Sequence, residues 1–383
     1  MHGGCHNPWA DFCHPLACRI VVKLLTQPGD GVNPLVNAIN SAATTVDIAI
    51  FRFDRKEVER ALINAVNRGV QVRALIACTN RGGEKRLRDL ETRLLGAGVM
   101  VARTADDLVR YHAKYVIIDR SELFLLAFNF TYLDIEQSRS FGIITKNKAV
   151  VEEISRLFEM DMKRQPYTAG LDWLVVSPTN ARTALAKFIK GAKKELYIYD
   201  PNISDPEMMR ALEERRKNGV EVRVLGRLTR HSDEIEVAKL HNMRLHTRLI
   251  LRDGSHAFIG SQSLRRVELD RRREVGMIFD DEAIVSSILT TFLADWKSAQ
   301  EGKLEKDQSP SNRMAKKVAK AVVKDMPSVT PMLDAVIQEM GGEAVEIGLN
   351  REELEDTVRD AVKHAVKQVI KEAVVSEPPP AQE

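Results

Sequence analysis

The sequence predicts an α/β protein made of two similar halves, each a mainly parallel mixed sheet covered by helices, followed by a helical C-terminal extension. Residues 112–144 align with residues 246–278 without a gap, at an offset of 134 residues. In both halves, β-like runs alternate with amphipathic helical patterns, the order typical of βαβ units. Because related halves usually pack about a pseudo-twofold axis, we expect that arrangement here.

The elements before the repeat follow the same order in both halves. The first half begins with a helical pattern at 32–42 and an extended run at 44–53. A helix ending at a glycine follows at 55–69, and a β-branched run at 70–77. In the second half the equivalent patterns occupy 181–192, 195–203, 206–219 and 220–226. Within the first copy of the repeat, three short apolar runs, 115–119, 123–130 and 140–145, predict strands joined by short turns.

Proline, glycine and polar residues mark the expected domain boundaries. The linker-like stretch 164–172 separates the halves, and the polar stretch 301–313 follows the second half. We therefore expect a disordered leader over residues 1–20 and a first half over 21–165. The second half should cover 166–300, and a linker with an amphipathic helical tail should cover 301–383.

The composition is typical of a soluble globular protein, with 44% hydrophobic and 29% charged residues. A net charge of +3 is too small to indicate nucleic acid or a membrane by itself. No apolar run approaches the ~18 residues of a membrane span, and the N-terminus lacks a secretory signal. We expect a cytoplasmic location and, as an alternative, peripheral contact with an anionic membrane.

Three of the four cysteines, Cys5, Cys13 and Cys18, lie in the expected leader. Their spacing matches none of the paired zinc patterns, so we expect no metal site there. At the other end, 352–374 carries an apolar stripe with acids early and lysines late, which indicates an amphipathic helix. We expect packing or self-association from it, with membrane-surface binding as the alternative. The tail 376–383 should be disordered.

A histidine and a cation stand two residues apart in each copy of the repeat. His112 and Lys114 share one face of an extended strand, and so do His246 and Arg248. If the pseudo-twofold brings these strand ends together, two imidazoles and two cations meet in one pocket. Such a pocket suits a phosphodiester: the cations hold the phosphate oxygens, one imidazole attacks phosphorus and the other protonates the leaving alcohol.

These residues resemble the paired motifs of the phospholipase D superfamily. The first copy reads "HAKYVIID" followed by "NFT", and the second "HTRLILRD", "GSQS" and "REVG". The resemblance covers about residues 30 to 300 and is strongest to bacterial phospholipase D-like and cardiolipin-synthase-like proteins. It implies transfer of a phosphatidyl group through a phosphohistidine, without metal or cofactor. It also implies that His112 is the nucleophile and His246 the general acid.

The chain departs from the family pattern at the cation and at the Gly-Ser-x-Asn segment. Arg248 replaces the second lysine and keeps the charge while offering a two-pronged phosphate contact. The first half keeps Asn129, whereas the second keeps Ser261 and has Ser263 in place of asparagine. The resemblance therefore implies that Asn129 belongs to the catalytic set, with Ser261 and Ser263 in support.

A further departure concerns the acid that the family places 28 residues after each histidine. Glu274 fills this position in the second half, and the resemblance implies that it reaches across to His112. Its counterpart in the first half is Ser140, so Asp134 or Glu136 would have to stand in for the missing carboxylate.

Asp119 and Asp253 close the two motifs, and we expect them to support the site, although aspartate at a strand end is also a common turn residue.

We therefore predict a phospholipase D-like phosphodiesterase or phosphatidyltransferase acting on phospholipids. A nuclease of the same superfamily is the first alternative, although only 5% aromatic residues argue against a base-stacking surface. A catalytically degenerate module that binds anionic phosphates is the second. The basic stretch 264–273 would bind lipid headgroups or nucleic-acid phosphates, or would be a solvated surface.

Overall fold

A computed structural model describes residues 21–78, 84–230, 232–241 and 243–308, together with isolated positions between 318 and 366. The chain divides into two compact units, Met1–Ala299 and Gln300–Glu383. The predictions for the cysteine-bearing leader and for the tail 376–383 lie outside the described residues. Of the predicted helix at 352–374, the structure describes Val362 and Val366, and both are helical. Among the described residues, no helix is both long and apolar enough to span a membrane.

The order of elements is the same in the two halves, apart from one additional helix, α3, in the first. The first half contains β1 (Val22–Gln27), α1 (Asn33–Ser41), β2 (Thr45–Ile50), α2 (Lys56–Asn67), β3 (Gln71–Ile76), α3 (Glu84–Gly96), β4 (Met100–Arg103), β5 (Arg110–Tyr111), β6 (Tyr115–Ile118), β7 (Glu122–Leu126), α4 (Tyr132–Glu136), β8 (Ser138–Thr145) and α5 (Lys148–Met162). The second contains β9 (Leu174–Ser177), α6 (Ala181–Lys190), β10 (Glu195–Ile203), α7 (Pro206–Lys217), β11 (Glu221–Leu228), β12 (Glu236–Ala238), β13 (Arg244–Leu245), β14 (Arg248–Arg252), β15 (His256–Gly260), α8 (Arg266–Asp270), β16 (Arg272–Phe279) and α9 (Glu282–Gln308).

Each half builds one mixed sheet, which confirms the predicted α/β class and the two similar halves. The strand orders are β1-β8-β7-β6-β2-β3-β4 and β9-β16-β15-β14-β10-β11-β12, with one short strand added to each from the other half. Within each half, the named strands pair in parallel in β2-β3-β4 and β10-β11-β12, and an isolated parallel bridge joins Phe53 to Phe130. The sequence predicted mainly parallel sheets, but the motif strands pair antiparallel because short turns join them.

Three hydrophobic clusters hold the sheets in place. The helices α1, α2 and α3 cover one face of the first sheet, and α6, α7 and α8 cover one face of the second. A third cluster is shared by both halves and includes Phe158 of α5 and Phe292 of α9, together with Tyr115 and Tyr199 from the two sheets. Because this shared core is continuous, the two halves form one rigid frame for the strand ends that carry the motifs.

The halves also exchange short strands next to the motif histidines. β5, directly before His112, pairs in parallel with β16, and β13, directly before His246, pairs in parallel with β8. The backbone N–H of His112 donates to the carbonyl of Arg273 at 2.8 Å, and that of His246 donates to the carbonyl of Arg139 at 3.1 Å. These contacts are equivalent under the 134-residue offset of the repeat, so each histidine enters the site across the last motif strand of the other half.

Candidate active site

His112 is held by a carboxylate from the opposite half. Its Nδ1 lies 2.7 Å from Oε2 of Glu274, which is fully buried on β16. The pairing follows from the strand exchange, because the carbonyl that accepts from the His112 backbone belongs to the residue before Glu274. With Nδ1 engaged in this way, Nε2 of His112 is the ring nitrogen left for chemistry. The ring also meets the edge of Phe51, with centroids 4.6 Å apart.

His246 has a different partner. The register that brings Glu274 to His112 brings Ser140 to His246, and the buried hydroxyl of Ser140 makes no hydrogen bond among the described residues. The nearest carboxylate is Asp134, whose Oδ2 lies 3.5 Å from His246 Nε2. Glu136, the other candidate, instead pairs with Arg55 at 3.1 Å. Asp134 is therefore the carboxylate beside His246, but it faces Nε2, whereas Glu274 bonds Nδ1 of His112; Nδ1 of His246 has no hydrogen-bond partner among the described residues.

The two cations lie beside their histidines, Lys114 buried and Arg248 with 11% of its side chain exposed. Lys114 Nζ donates to the backbone carbonyl of His112 at 2.5 Å, and Arg248 Nη1 donates to the carbonyl of His246 at 2.7 Å. Arg248 Nε also donates to the hydroxyl of Ser263 at 3.0 Å. Each cation is thus oriented by the residue two positions before it, as expected for alternate side chains on one strand face.

Asn129 and Ser263 occupy equivalent positions and anchor equivalent acids. Asn129 donates to Asp134 Oδ2 from its backbone N–H at 3.0 Å and from Nδ2 at 2.6 Å. The backbone N–H of Ser263 donates to Glu268 Oε2 at 2.7 Å. Glu268 was not among the residues predicted from the sequence, although the 134-residue offset maps Asp134 onto it.

Ser261 lies behind the site and supports the strand that carries Glu274. The backbone N–H of Val275 donates to Ser261 Oγ at 3.2 Å, and the backbone N–H of Ser261 donates to the carbonyl of Val275 at 3.1 Å. These contacts hold the backbone of β16 at Val275, the residue that follows Glu274.

Burial and neighbouring charge set the protonation states. Burial, then Lys114 and Arg248, hold the pKa of His112 well below its ordinary value. Burial also lowers the pKa of His246 strongly, and Asp134 works in the opposite direction. Both imidazoles are therefore neutral at pH 7 when no anion is bound.

The acid next to His246 is ionised. Although burial opposes ionisation, the interaction with the neighbouring His246, the hydrogen bonds from Asn129 and the charge of Arg244 lower the pKa of Asp134 to about 2. Arg244 also donates to this carboxylate. Asp134 is thus a fixed negative charge beside His246.

Asp119 and Asp253 lie away from this group. Each follows the far end of its motif strand, and seven residues of extended chain separate Asp119 from His112, which is about 20 Å. Asp119 accepts hydrogen bonds from the backbone of residues 43–45, and Asp253 from the backbone of residues 193–195. Each carboxylate closes the loop that leads into the neighbouring strand, which favours the turn interpretation of these residues over direct support of the site.

Replacing Asp119 by alanine should lower stability rather than alter the chemistry. Although burial opposes ionisation, hydrogen bonds from the backbone of residues 43–45 lower the pKa of Asp119, so its stabilisation is present at neutral pH and is lost as the pH falls through that lowered pKa. We expect the variant to lose about 2 kcal/mol, or roughly 4–8 °C in melting temperature, at pH 7. The difference in stability between the variant and the parent should shrink in strong acid. Calorimetry at pH 7 and at a strongly acidic pH would show this. A difference from the parent that is the same at both pH values would contradict this role.

The contacts around the motif histidines point to a class of protein. A duplicated α/β fold exchanges strands, each motif histidine lies beside a cation and a carboxylate, and Lys114 and Arg248 each act on the pKa of both imidazoles. The sequence resemblance predicted paired histidines and cations of this kind for the phospholipase D superfamily.

The chain belongs to that superfamily. A family model described as "Cardiolipin synthase, PLD-like domain" matches residues 35–162 and 185–296, one match in each half. Mitochondrial cardiolipin hydrolase from Danio rerio is 27% identical over 124 residues, which is 32% of this chain and 53% of that protein. The same protein from Canis lupus familiaris is 26% identical over 149 residues, which is 38% of this chain and 56% of that protein. The chain thus spans about half the length of the curated relatives it matches.

A solved structure shows the same fold at low sequence identity. Polyphosphate kinase from Porphyromonas gingivalis aligns with a TM-score of 0.62 and 19% identity, over 72% of this chain and 50% of that chain. At this identity the likeness describes architecture alone.

Proposed function

We propose that the chain is a phosphodiesterase or phosphatidyltransferase that cleaves a phospholipid phosphodiester through a phosphohistidine on His112. The observation that carries the proposal is the asymmetric pair of imidazoles. One is held by Glu274 with Nε2 left for attack, and the other stands beside the ionised Asp134. Each has a cation two residues away, which supplies the positive charge that a phosphodiester requires.

In the first step, Nε2 of His112 attacks phosphorus and forms the N–P bond. The bond from phosphorus to the leaving oxygen breaks, and its electron pair stays on that oxygen. His246 donates a proton to the same oxygen. Substrate binding favours this acid: burial, Arg248 and Lys114 lower the pKa of His246 in the free protein, and a negative phosphodiester between the two cations would offset their share.

In the second step, a water or another alcohol attacks the phosphohistidine while His246 takes its proton. The N–P bond then breaks and His112 regains its free electron pair. Hydrolysis and transfer differ only in which nucleophile enters, so both belong to the same proposal.

A phospholipid is the proposed substrate class because the matched family and relatives are named for cardiolipin chemistry. We also propose that the protein reaches its lipid by peripheral contact with an anionic membrane and works in the cytoplasm. Self-association through the predicted helix at 352–374 remains a proposal as well.

The function can be tested with purified full-length chain. Vesicles of cardiolipin, phosphatidylglycerol or phosphatidylcholine would be incubated with the protein, in parallel with single-stranded DNA. Release of headgroup or phosphatidic acid, absent from a His112→Ala control, would support the proposal. Cleavage of DNA alone would identify a nuclease, and binding of anionic vesicles without turnover or phosphohistidine would identify a binding module.

Asp134 should act as a positioning residue for His246. Replacing it by asparagine removes the charge that favours the protonated imidazole, so the pKa of His246 falls. The alkaline limb of the rate profile should move to lower pH, and kcat should fall about 10- to 100-fold with little change in KM. Asp134→Glu should recover part of the activity, and Glu136→Gln, which touches only the ion pair with Arg55, is the matched control. A lower KM for Asp134→Asn without loss of kcat would instead show that Asp134 repels the substrate.

A further inference from the structure

The two motif histidines differ in how firmly the fold holds their rings. Nδ1 of His112 is bonded to Glu274, and the ring of Phe51 packs against the same imidazole, with centroids 4.6 Å apart and planes at 72°. Within the described part of the chain, the His246 ring has no aromatic contact and its Nδ1 has no hydrogen-bond partner. Two contacts thus restrain the first imidazole, and neither has an equivalent at the second.

Phe51 reaches His112 from the end of a neighbouring strand. β2 and β6 pair antiparallel, with Ala49 opposite Tyr115, so the chain that leaves β2 meets the chain that enters β6. Phe51 is buried and belongs to the hydrophobic cluster that both halves share. Because a close-packed core allows little movement, its ring forms a fixed wall beside the imidazole.

The second half lacks this wall. The first residues of the equivalent strands β2 and β10 are Thr45 and Glu195, and their partners on the next strand keep the same offset of 150 residues. At that offset the residue equivalent to Phe51 is Pro201, which carries no aromatic ring. The missing ring therefore accompanies the missing acid at Ser140, and both differences affect the same histidine.

The Phe51 ring also holds the motif cation. Lys114 Nζ lies 5.4 Å from the centre of the ring, within the ~6 Å at which an aromatic face attracts a cation. Lys114 is buried, and burial holds its pKa well below the ordinary value. The electron-rich face of Phe51 works against that effect, because it favours the charged ammonium that a phosphate requires. One side chain thus contacts both members of the first motif.

Nucleophilic attack depends closely on the orientation of an imidazole. Attack requires Nε2 to be in line with the bond that breaks at phosphorus, and a displacement of about 1 Å can cost about 100-fold in rate. The last side-chain torsion of histidine has only a broad preference, so the side chain does not fix its own ring plane. A hydrogen bond at Nδ1 and an aromatic ring at 72° to the imidazole supply this restraint for His112.

We propose that Phe51 is a positioning residue that makes His112, rather than His246, the nucleophile. Its ring limits the tilt of the imidazole while Glu274 holds Nδ1, so Nε2 stays aimed at phosphorus. Phe51 acts through His112 and Lys114 rather than on the substrate itself. The inference rests on the proposed function and adds a physical reason for the unequal roles of the two histidines.

The kinetic test compares full-length Phe51→Leu and Phe51→Tyr with Phe53→Leu. Phe53 packs on Phe130 with centroids 5.8 Å apart, so it controls for the loss of a ring two residues further along the chain. With bis(p-nitrophenyl) phosphate, Phe51→Leu should lower the single-turnover rate constant at saturating protein by about 10- to 100-fold. Phe51→Tyr keeps the ring and should stay within about threefold of the parent.

This rate constant distinguishes positioning from a merely structural role. Partial unfolding raises the protein concentration needed for saturation without changing the rate constant of the folded molecules. An unchanged rate constant for Phe51→Leu, or an equal loss for Phe53→Leu, would overturn the proposal.

An NMR measurement separates this inference from the proposed function. In protein labelled with ¹⁵N-histidine, the proton of the His112–Glu274 hydrogen bond exchanges with water when the ring leaves the carboxylate. The exchange should be about tenfold faster in Phe51→Leu and unchanged in Phe53→Leu, with the signal assigned by its loss in His112→Ala. Faster exchange in a chain that forms no phosphohistidine would leave Phe51 as the restraint on the ring and overturn the proposed function. Turnover with the same exchange rate in both variants would support the proposed function and overturn this inference.

Discussion

Replacing His112 by alanine is expected to remove the activity almost entirely, by at least about 10⁴-fold in kcat. The reason is that His112 is the proposed nucleophile, with Nδ1 held by Glu274 and Nε2 left for attack, whereas Nε2 of His246 lies beside Asp134. The loss should be the same for good and poor leaving groups, because attack itself is prevented. Turnover of vesicle lipid and of bis(p-nitrophenyl) phosphate would measure it.

The covalent intermediate gives a second readout of the same variant. Base quenching during turnover, followed by mass spectrometry, should show phosphohistidine at residue 112 in the parent and at no histidine in His112→Ala. His256→Ala is the matched control, because the His256 ring bonds its neighbour Ser255 and the equivalent residue of the first half is Glu122, not a histidine. An adduct on residue 246, or full turnover without His112, would show that the roles of the two histidines are reversed or absent.

The sequence could predict most of this site because duplication makes equivalent positions visible. The gapless offset pairs His112 with His246 and Glu274 with Ser140, so the asymmetry of the acids is already visible in the amino-acid sequence. The cross-half contact of Glu274 was implied by the family resemblance, and its physical cause is the exchange of β5 and β13. Two-residue strands have no periodicity to detect, so this exchange could not be predicted from the sequence.

Other features depend on three-dimensional packing that a single sequence does not encode locally. Asp134 and Glu136 were equal candidates in sequence, and the structure separates them because Asp134 lies beside His246 whereas Glu136 pairs with Arg55. Phe51 lies about sixty residues before His112 along the chain and reaches it because β2 and β6 are adjacent in the sheet. The mainly parallel pairing was predicted from element order, but the length of the turns between the motif strands decided the pairing instead.

The departures in the second half are coupled rather than random. Arg248 is longer than the lysine of the family pattern, and its Nε donates to the small Ser263. The equivalent residues of the first half are Lys114 and Asn129, and the Asn129 amide donates to Asp134 instead of contacting the cation. A larger cation therefore accompanies a smaller neighbour, which keeps a positive charge at the site without overpacking it. This coupling argues for a retained phosphate contact on the His246 side.

Replacing His246 by alanine should give a different defect, one that depends on the leaving group. A lipid alkoxide needs a proton as it departs, so its cleavage should fall about 10²- to 10⁴-fold. A nitrophenolate leaves without one, so bis(p-nitrophenyl) phosphate should still phosphorylate His112. The second step then lacks its base, so we expect a stoichiometric burst of nitrophenolate followed by a stall, with the adduct trapped on residue 112. Stopped-flow absorbance and mass spectrometry would detect both. Equal slowing of the two substrates without a burst would mean that His246 positions the phosphate and transfers no proton.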